Sequence, residues 1–166
     1  MIRLSSVLHG KLPNFTLLNP LAMPDGFVRN MMQQPDIRIT ATDLSRIEKL
    51  LATLPKTSPV RLALETELDR ADVHESAEIP ANVVTMNSTV RFAINGTDEH
   101  FTLTLVYPKD VQDNGQTISI LAPAGSAMLG LKVGDAISWP GANGKPLQVK
   151  IDEITYQPER AGDLHR

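Results

Sequence analysis

The chain has 166 residues, enough for one compact domain with an appendage but too few for two ordinary ones. An apolar fraction of 42% and a charged fraction of 21% are those of a globular protein, and aromatics at 4% leave little material for an aromatic-lined pocket. A net charge of −3 provides no overall positive field, which disfavours bare DNA or RNA as the main ligand and favours a protein partner.

Residues 1–36 carry prolines, asparagines and scattered apolar residues with neither helical nor strand periodicity, and read as a flexible leader. Pro13, Pro20 and Pro24 interrupt its leucine-rich part, so no run approaches the roughly 18 apolar residues of a membrane span. His9, Lys11 and Pro13 break any secretory hydrophobic region in the same way. A cytoplasmic protein is expected, and the absence of cysteine removes disulfides, thiolate metal sites and thiol nucleophiles.

From Ile37 the pattern changes. Leu44, Ile47, Leu51 and Leu54 follow helical spacing and Leu50 widens the stripe, which predicts an amphipathic helix capped by Thr40 or Thr42, aided by Asp43 and stopped by Pro55. Ser58 is a natural cap for a second helix with Pro59 at its first position, and Val60, Leu64, Leu68 and Ala71 line one face. The short connection between them predicts an antiparallel hairpin, a minimal coiled coil. At about 1.5 Å per residue, a first helix of about 12 residues reaches only ~18 Å.

After Pro80 the apolar period becomes that of a strand. Val90, Phe92 and Ile94 precede a turn at Asn95 and Gly96; Phe101, Leu103, Leu105 and Tyr107 form the next set. Ile118 with Ile120, the segment 136–139, and Leu147, Val149 and Ile151 supply three more. The apolar phase slips between Ile151 and Ile154, which predicts a bulge near Asp152 and Glu153. Trp139 is expected to seal one end of this core. The organisation is therefore α+β: leader 1–36, helical hairpin 37–79, a mostly antiparallel β domain 80–160, and a tail 161–166.

Between the third and fourth strands lies A-P-A-G-S-A-M-L-G-L-K-V-G-D at 122–135. Pro123 suits the start of a turn or brief helix, and Gly130 a left-handed stop. A phosphate-binding loop does not fit, because Leu131 follows Gly130, Lys132 comes one place late, and Val133 offers no hydroxyl. Small residues that let a crossover pack closely over the sheet are a sufficient reason for the composition, but the string also carries a resemblance. With I-S-I-L before it and L-Q-V-K-I-D-E-I-T-Y at 147–156 after it, the stretch resembles the C-terminal domain of bacterial Gre transcript-cleavage factors, with Ala122 in place of a serine and Met128 in place of a leucine. E-L-D-R-A at 67–71, E-I-P at 78–80, V-V-T-M-N-S at 83–88 and L-V-Y-P at 105–108 are similar to the Gre-related Rnk family, regulators of nucleoside diphosphate kinase. The resemblance runs from about Ile37 to Pro158. The leader has no counterpart in it, so Met31 or Met32 could be the natural start.

The resemblance implies an FKBP-like β domain and docking at the secondary channel of RNA polymerase. Gre factors send a long coiled coil into that channel and present acidic residues that help hold a catalytic magnesium ion, a hard cation wanting oxygen ligands. Here the tip, L-P-K-T-S-P at 54–59, has no acid and one lysine, so neither cleavage nor any metal or cofactor of its own is expected. The implied role is a noncatalytic regulator of elongation, a monomer that binds the polymerase core and competes with Gre factors. The docking residues implied by the family motif are Pro123, Ala124, Gly125, Ala127, Met128 and Leu129, with Ala122 weaker. An exposed flexible methionine suits transient protein contact, and the alternative, that Met128 and Leu129 point inward as core, stays open. Glu65 and Asp69 on the hairpin are secondary candidates, a solvated face being the plainer account of both.

The histidines at 9, 74, 100 and 165 are far apart and lack ligand spacing. Asp152 with Glu153, and Asp72, His74 and Glu75, have no nucleophile beside them and read as surface charge. The alternative function, an FKBP-like peptide-binding or prolyl isomerase domain, would need a pocket of aromatics that four Phe, two Tyr and one Trp scarcely supply.

Overall fold

A computed structural model describes residues 34–141 and 145–164. The expected leader, and with it the question of Met31 or Met32, lies almost wholly outside the described residues.

The helical part is a β-α-α-β unit. Strand β1 (Arg38–Thr40) leads into helix α1 (Ala41–Ala52), helix α2 (Pro59–Asp69) follows, and strand β2 (Asp72–His74) pairs with β1 in parallel, Ile39 opposite Val73. The chain leaving α2 thus returns beside the chain entering α1, with Asp72 N donating to Ile37 O at 2.9 Å. Thr40 is the cap: its Oγ1 accepts from Asp43 N at 3.0 Å, satisfying one of the donors that a helix start leaves without an internal partner. Ser58 stands at the cap position of α2 but its side chain makes no capping bond, and Pro59 opens the helix as expected. Ile47, Leu51, Leu64 and Leu68 are buried in one shared core, with Leu44, Leu50, Leu54, Val60 and Ala71 half-buried against it.

The second part is a five-stranded sheet of order β5-β4-β3-β7-β6. Its strands are β3 (Thr89–Ile94), β4 (His100–Val106), β5 (Thr117–Ser119), β6 (Ala136–Pro140) and β7 (Pro146–Tyr156). All pairings are antiparallel except β4 with β5, which is parallel because the chain crosses back through a 3₁₀ turn at Pro108–Asp110 before β5 begins. The architecture is mixed α+β with a mostly antiparallel sheet.

Asn95 and Gly96 take positive φ of 56° and 66° and turn β3 into β4. Across that hairpin Phe92 faces Phe101 with ring centroids 5.8 Å apart. In β7 the register against β3 shifts between Arg91 and Phe92, so that Glu153 and Ile151 are consecutive partners and Asp152 is the extra residue, as the slip in apolar phase predicts. Trp139, on edge strand β6 opposite Leu147, is buried in the core. A short helix α3 (Pro123–Met128) joins β5 to β6, and a last turn, α4 (Pro158–Ala161), follows β7. No helix among the described residues is long and apolar enough to cross a membrane.

Candidate functional site

The stretch 122–135 is a structural keystone before it is a surface. After β5 the chain turns at 119–122, and α3 begins with Pro123 at its first position. Ser126 Oγ, buried, donates to Ile120 O at 2.6 Å and ties the helix back to the turn that follows β5. Gly125 lies so close to β5 that a Cβ there would stand 2.0 Å from Ser119 O; no side chain fits without moving backbone. Gly130 ends the loop at φ +78°, and a Cβ there would meet Ile37 Cβ at 2.8 Å. Its N–H donates to Val84 O at 2.9 Å and its carbonyl accepts from Arg38 N at 3.1 Å. One residue thereby joins the root of the helical hairpin to the segment that enters the sheet.

This packing decides where the expected docking residues lie. Ala124, Gly125, Ala127, Met128 and Leu129 are all buried, and Met128 has no exposure at all. The expected exposed methionine is therefore not at the surface: its side chain fills the shared core, because α3 lies flat on β6 and β7 with its apolar side inward. Pro123 and Ala122 are the half-exposed members of the motif. They border an open groove of about 620 Å³ with Ile118, Asn95, Pro146 and Leu147 along its walls.

The hairpin tip, residues 53–58, contains no carboxylate. Arg61 organises it, with Nε donating to Glu65 Oε1 at 2.7 Å and a terminal nitrogen donating to Leu54 O at 2.8 Å. Glu65 is thus engaged by Arg61, while Asp69 is exposed. Among the described residues no group of three His, Asp or Glu side chains is gathered as metal ligands. Asp72 and His74 pair at 2.9 Å, and His100 Nδ1 pairs with the bulged Asp152 at 2.6 Å, both on the surface.

A second groove, about 770 Å³ and open, lies against α1. It is lined by Arg46, Lys49 and Leu50 from the helix, Asn87 from the turn before β3, and residues 107–110 after β4. Next to it is a buried polar joint. Asp43 is 2% exposed and its Oδ2 accepts from Met86 N at 3.1 Å. Burial raises its carboxyl from 3.8 to about 6 and Glu159 pushes the same way, against the Met86 N–H, Thr40 and Arg46. Burial also drives the Tyr107 hydroxyl well above its ordinary range, with Asp43 adding to it and Arg46 opposing. That hydroxyl is sealed from solvent, with the side chains of Arg46 and Asp43 beside it. Sequence reasoning missed this region, since its members are spread from Asp43 to Asp110 and share no motif.

Comparison with known proteins divides the chain in two. Residues 35–73 match the family described as Rnk N-terminus, and residues 79–156 the family described as the C-terminal part of transcription elongation factor GreA/GreB. The regulator of nucleoside diphosphate kinase of Escherichia coli K12 is 42% identical over 133 residues, 80% of this chain and 98% of that protein. Transcription elongation factor GreA of Dehalococcoides mccartyi is 33% identical over 93 residues, 56% of this chain and 59% of its own length. Among solved structures, a GreA/GreB-type elongation factor from Nitrosomonas europaea is 55% identical, with a TM-score of 0.60 over 74% of this chain and 100% of that one.

Proposed function

The chain belongs to the family of the regulator of nucleoside diphosphate kinase, Rnk, and from that premise we propose a noncatalytic regulator of transcription elongation that binds core RNA polymerase at the rim of its secondary channel and competes there with Gre factors. The supporting observation is the shape and chemistry of the hairpin: helices of 12 and 11 residues end in a tip that carries no carboxylate. A helix of that length extends roughly 18 Å. Such a finger brings no carboxylate ligand to a metal in a buried active centre. Any effect on nucleoside diphosphate kinase is then indirect, through transcription.

In this reading the helical hairpin (37–79) is a minimal coiled coil and 80–160 an FKBP-like docking domain, working as a cytoplasmic monomer without metal or cofactor. The motif Pro123, Ala124, Gly125, Ala127, Met128 and Leu129 acts as a frame: its buried members set the position of Ala122 and Pro123, and contact is made by that ridge and the groove beside it. The relatives named above are regulators and elongation factors, and none lends support to a peptide-binding or isomerase role.

Backtracked elongation complexes test the noncatalytic assignment. Added protein is expected to leave the rate of transcript cleavage at its intrinsic value and to slow cleavage stimulated by a Gre factor. Acceleration of cleavage by the protein alone would overturn the reading.

A further inference from the structure

The groove against α1 has no part in the docking proposal, and its chemistry is of another kind. It gathers three cations, Arg46, Lys49 and Lys109, against one carboxylate, Asp110, in a chain whose net charge is −3. Lys49 and Lys109 are exposed and neither forms an ion pair with a described residue. Asn87 stands in the wall with φ 65°, a left-handed turn conformation that asparagine adopts readily, as Asn95 does in this chain. Its backbone N–H is engaged, donating to Leu105 O at 2.7 Å. Leu50, Pro108 and the Tyr107 ring supply apolar wall between the charges.

We propose that this groove binds a small phosphorylated molecule carrying a planar ring, of mononucleotide size: Arg46, Lys49 and Lys109 take the phosphate, the Leu50, Tyr107 and Pro108 wall takes the ring, and the Asn87 amide reads its edge. Three considerations select that class. Lys49 and Lys109 have no acid partner among the described residues and favour an anion beside them. The volume of about 770 Å³ lies in the range of small-molecule sites and is far larger than a lone phosphate fills. A ring is needed to occupy the apolar wall, which a simple polyanion leaves wet. Asp110 lines the groove and the buried Asp43 interacts with Arg46, so the anion sits toward Lys49 and Lys109.

The test uses the full chain without polymerase, so that its outcome is separate from that of the docking proposal. Adenosine 5′-monophosphate is titrated by calorimetry and by amide NMR, with adenosine, inorganic phosphate and a glutamate-rich peptide as parallel probes. Saturable binding with Kd below about 1 mM is expected, with shifts at Arg46, Lys49, Asn87 and Lys109. Adenosine and phosphate alone should each bind at least about tenfold more weakly, and higher salt should weaken binding of the nucleotide. The double variant Lys49→Gln with Lys109→Gln should lose about tenfold or more in affinity while melting within a few degrees of the parent, since both side chains are exposed. No saturable binding, shifts confined elsewhere, or unchanged affinity in the double variant overturns the proposal. So does tighter binding of the acidic peptide, which would assign the groove to a protein segment.

Discussion

Asp43 is held by its surroundings with its carboxyl at about 6, above the 3.8 of an exposed aspartate, chiefly because it is buried. Below pH 3.8 it is protonated in both the folded and the unfolded chain. As pH rises from 3.8 to about 6 the unfolded chain releases its proton first, so the favourable contribution present at low pH is lost across that window. The size of the effect is on the order of 2–3 kcal/mol. Asp43→Asn keeps an oxygen for the Met86 N–H and removes the ionisation. The expected outcome in urea unfolding is a flatter dependence of stability on pH between 4 and 6.5, with the variant at least as stable as the parent at pH 7. An unchanged slope in the variant would show that another group titrates there. The sequence places Asp43 correctly in the first turn of α1, where a carboxylate suits the helix dipole. Its burial is not legible, because the N–H it accepts from belongs to Met86, in the other half of the fold.

At the scale of the element, α3 and its flanking loop work through close approach rather than through side-chain chemistry. Gly125→Ala sets a methyl 2.0 Å from the Ser119 carbonyl oxygen, so β5 or α3 must move. A loss of about 1–3 kcal/mol in unfolding free energy is expected, measured by denaturant titration. A variant as stable as the parent would mean that the loop yields freely and does not fix the ridge at Pro123. The elements with a sustained apolar period, α1, α2, β3, β4 and β7, were legible in the sequence, as was the bulge at Asp152, because a lone slip in an alternating pattern has few other causes. The pairing of β1 with β2 was not: each has three residues, too few for a period, and they meet only because the hairpin between them closes. The parallel direction of β5 was hidden likewise, since a segment of three residues does not reveal which way it runs. The direction in which Met128 points was also undetermined, because a six-residue helix of small side chains offers no polar face to orient it.

For the whole molecule, the fold presents a short finger and a ridge of surface held by one shared core. Ile47, Leu51, Leu64 and Leu68 from the finger share one buried core with Val84, Met86, Met128 and Leu131 of the sheet part. The order of a helical hairpin followed by a β domain was legible from the motifs, whereas their shared core and the cationic groove emerge only when folding brings distant residues such as Arg46, Asn87 and Lys109 together. The central claim is occupancy of the polymerase channel rim, and retention of the protein on immobilised core RNA polymerase, with and without an excess of a Gre factor, measures it directly. The account predicts retention that the Gre factor displaces in a concentration-dependent way. Absence of retention, or retention that excess Gre factor leaves untouched, would contradict it.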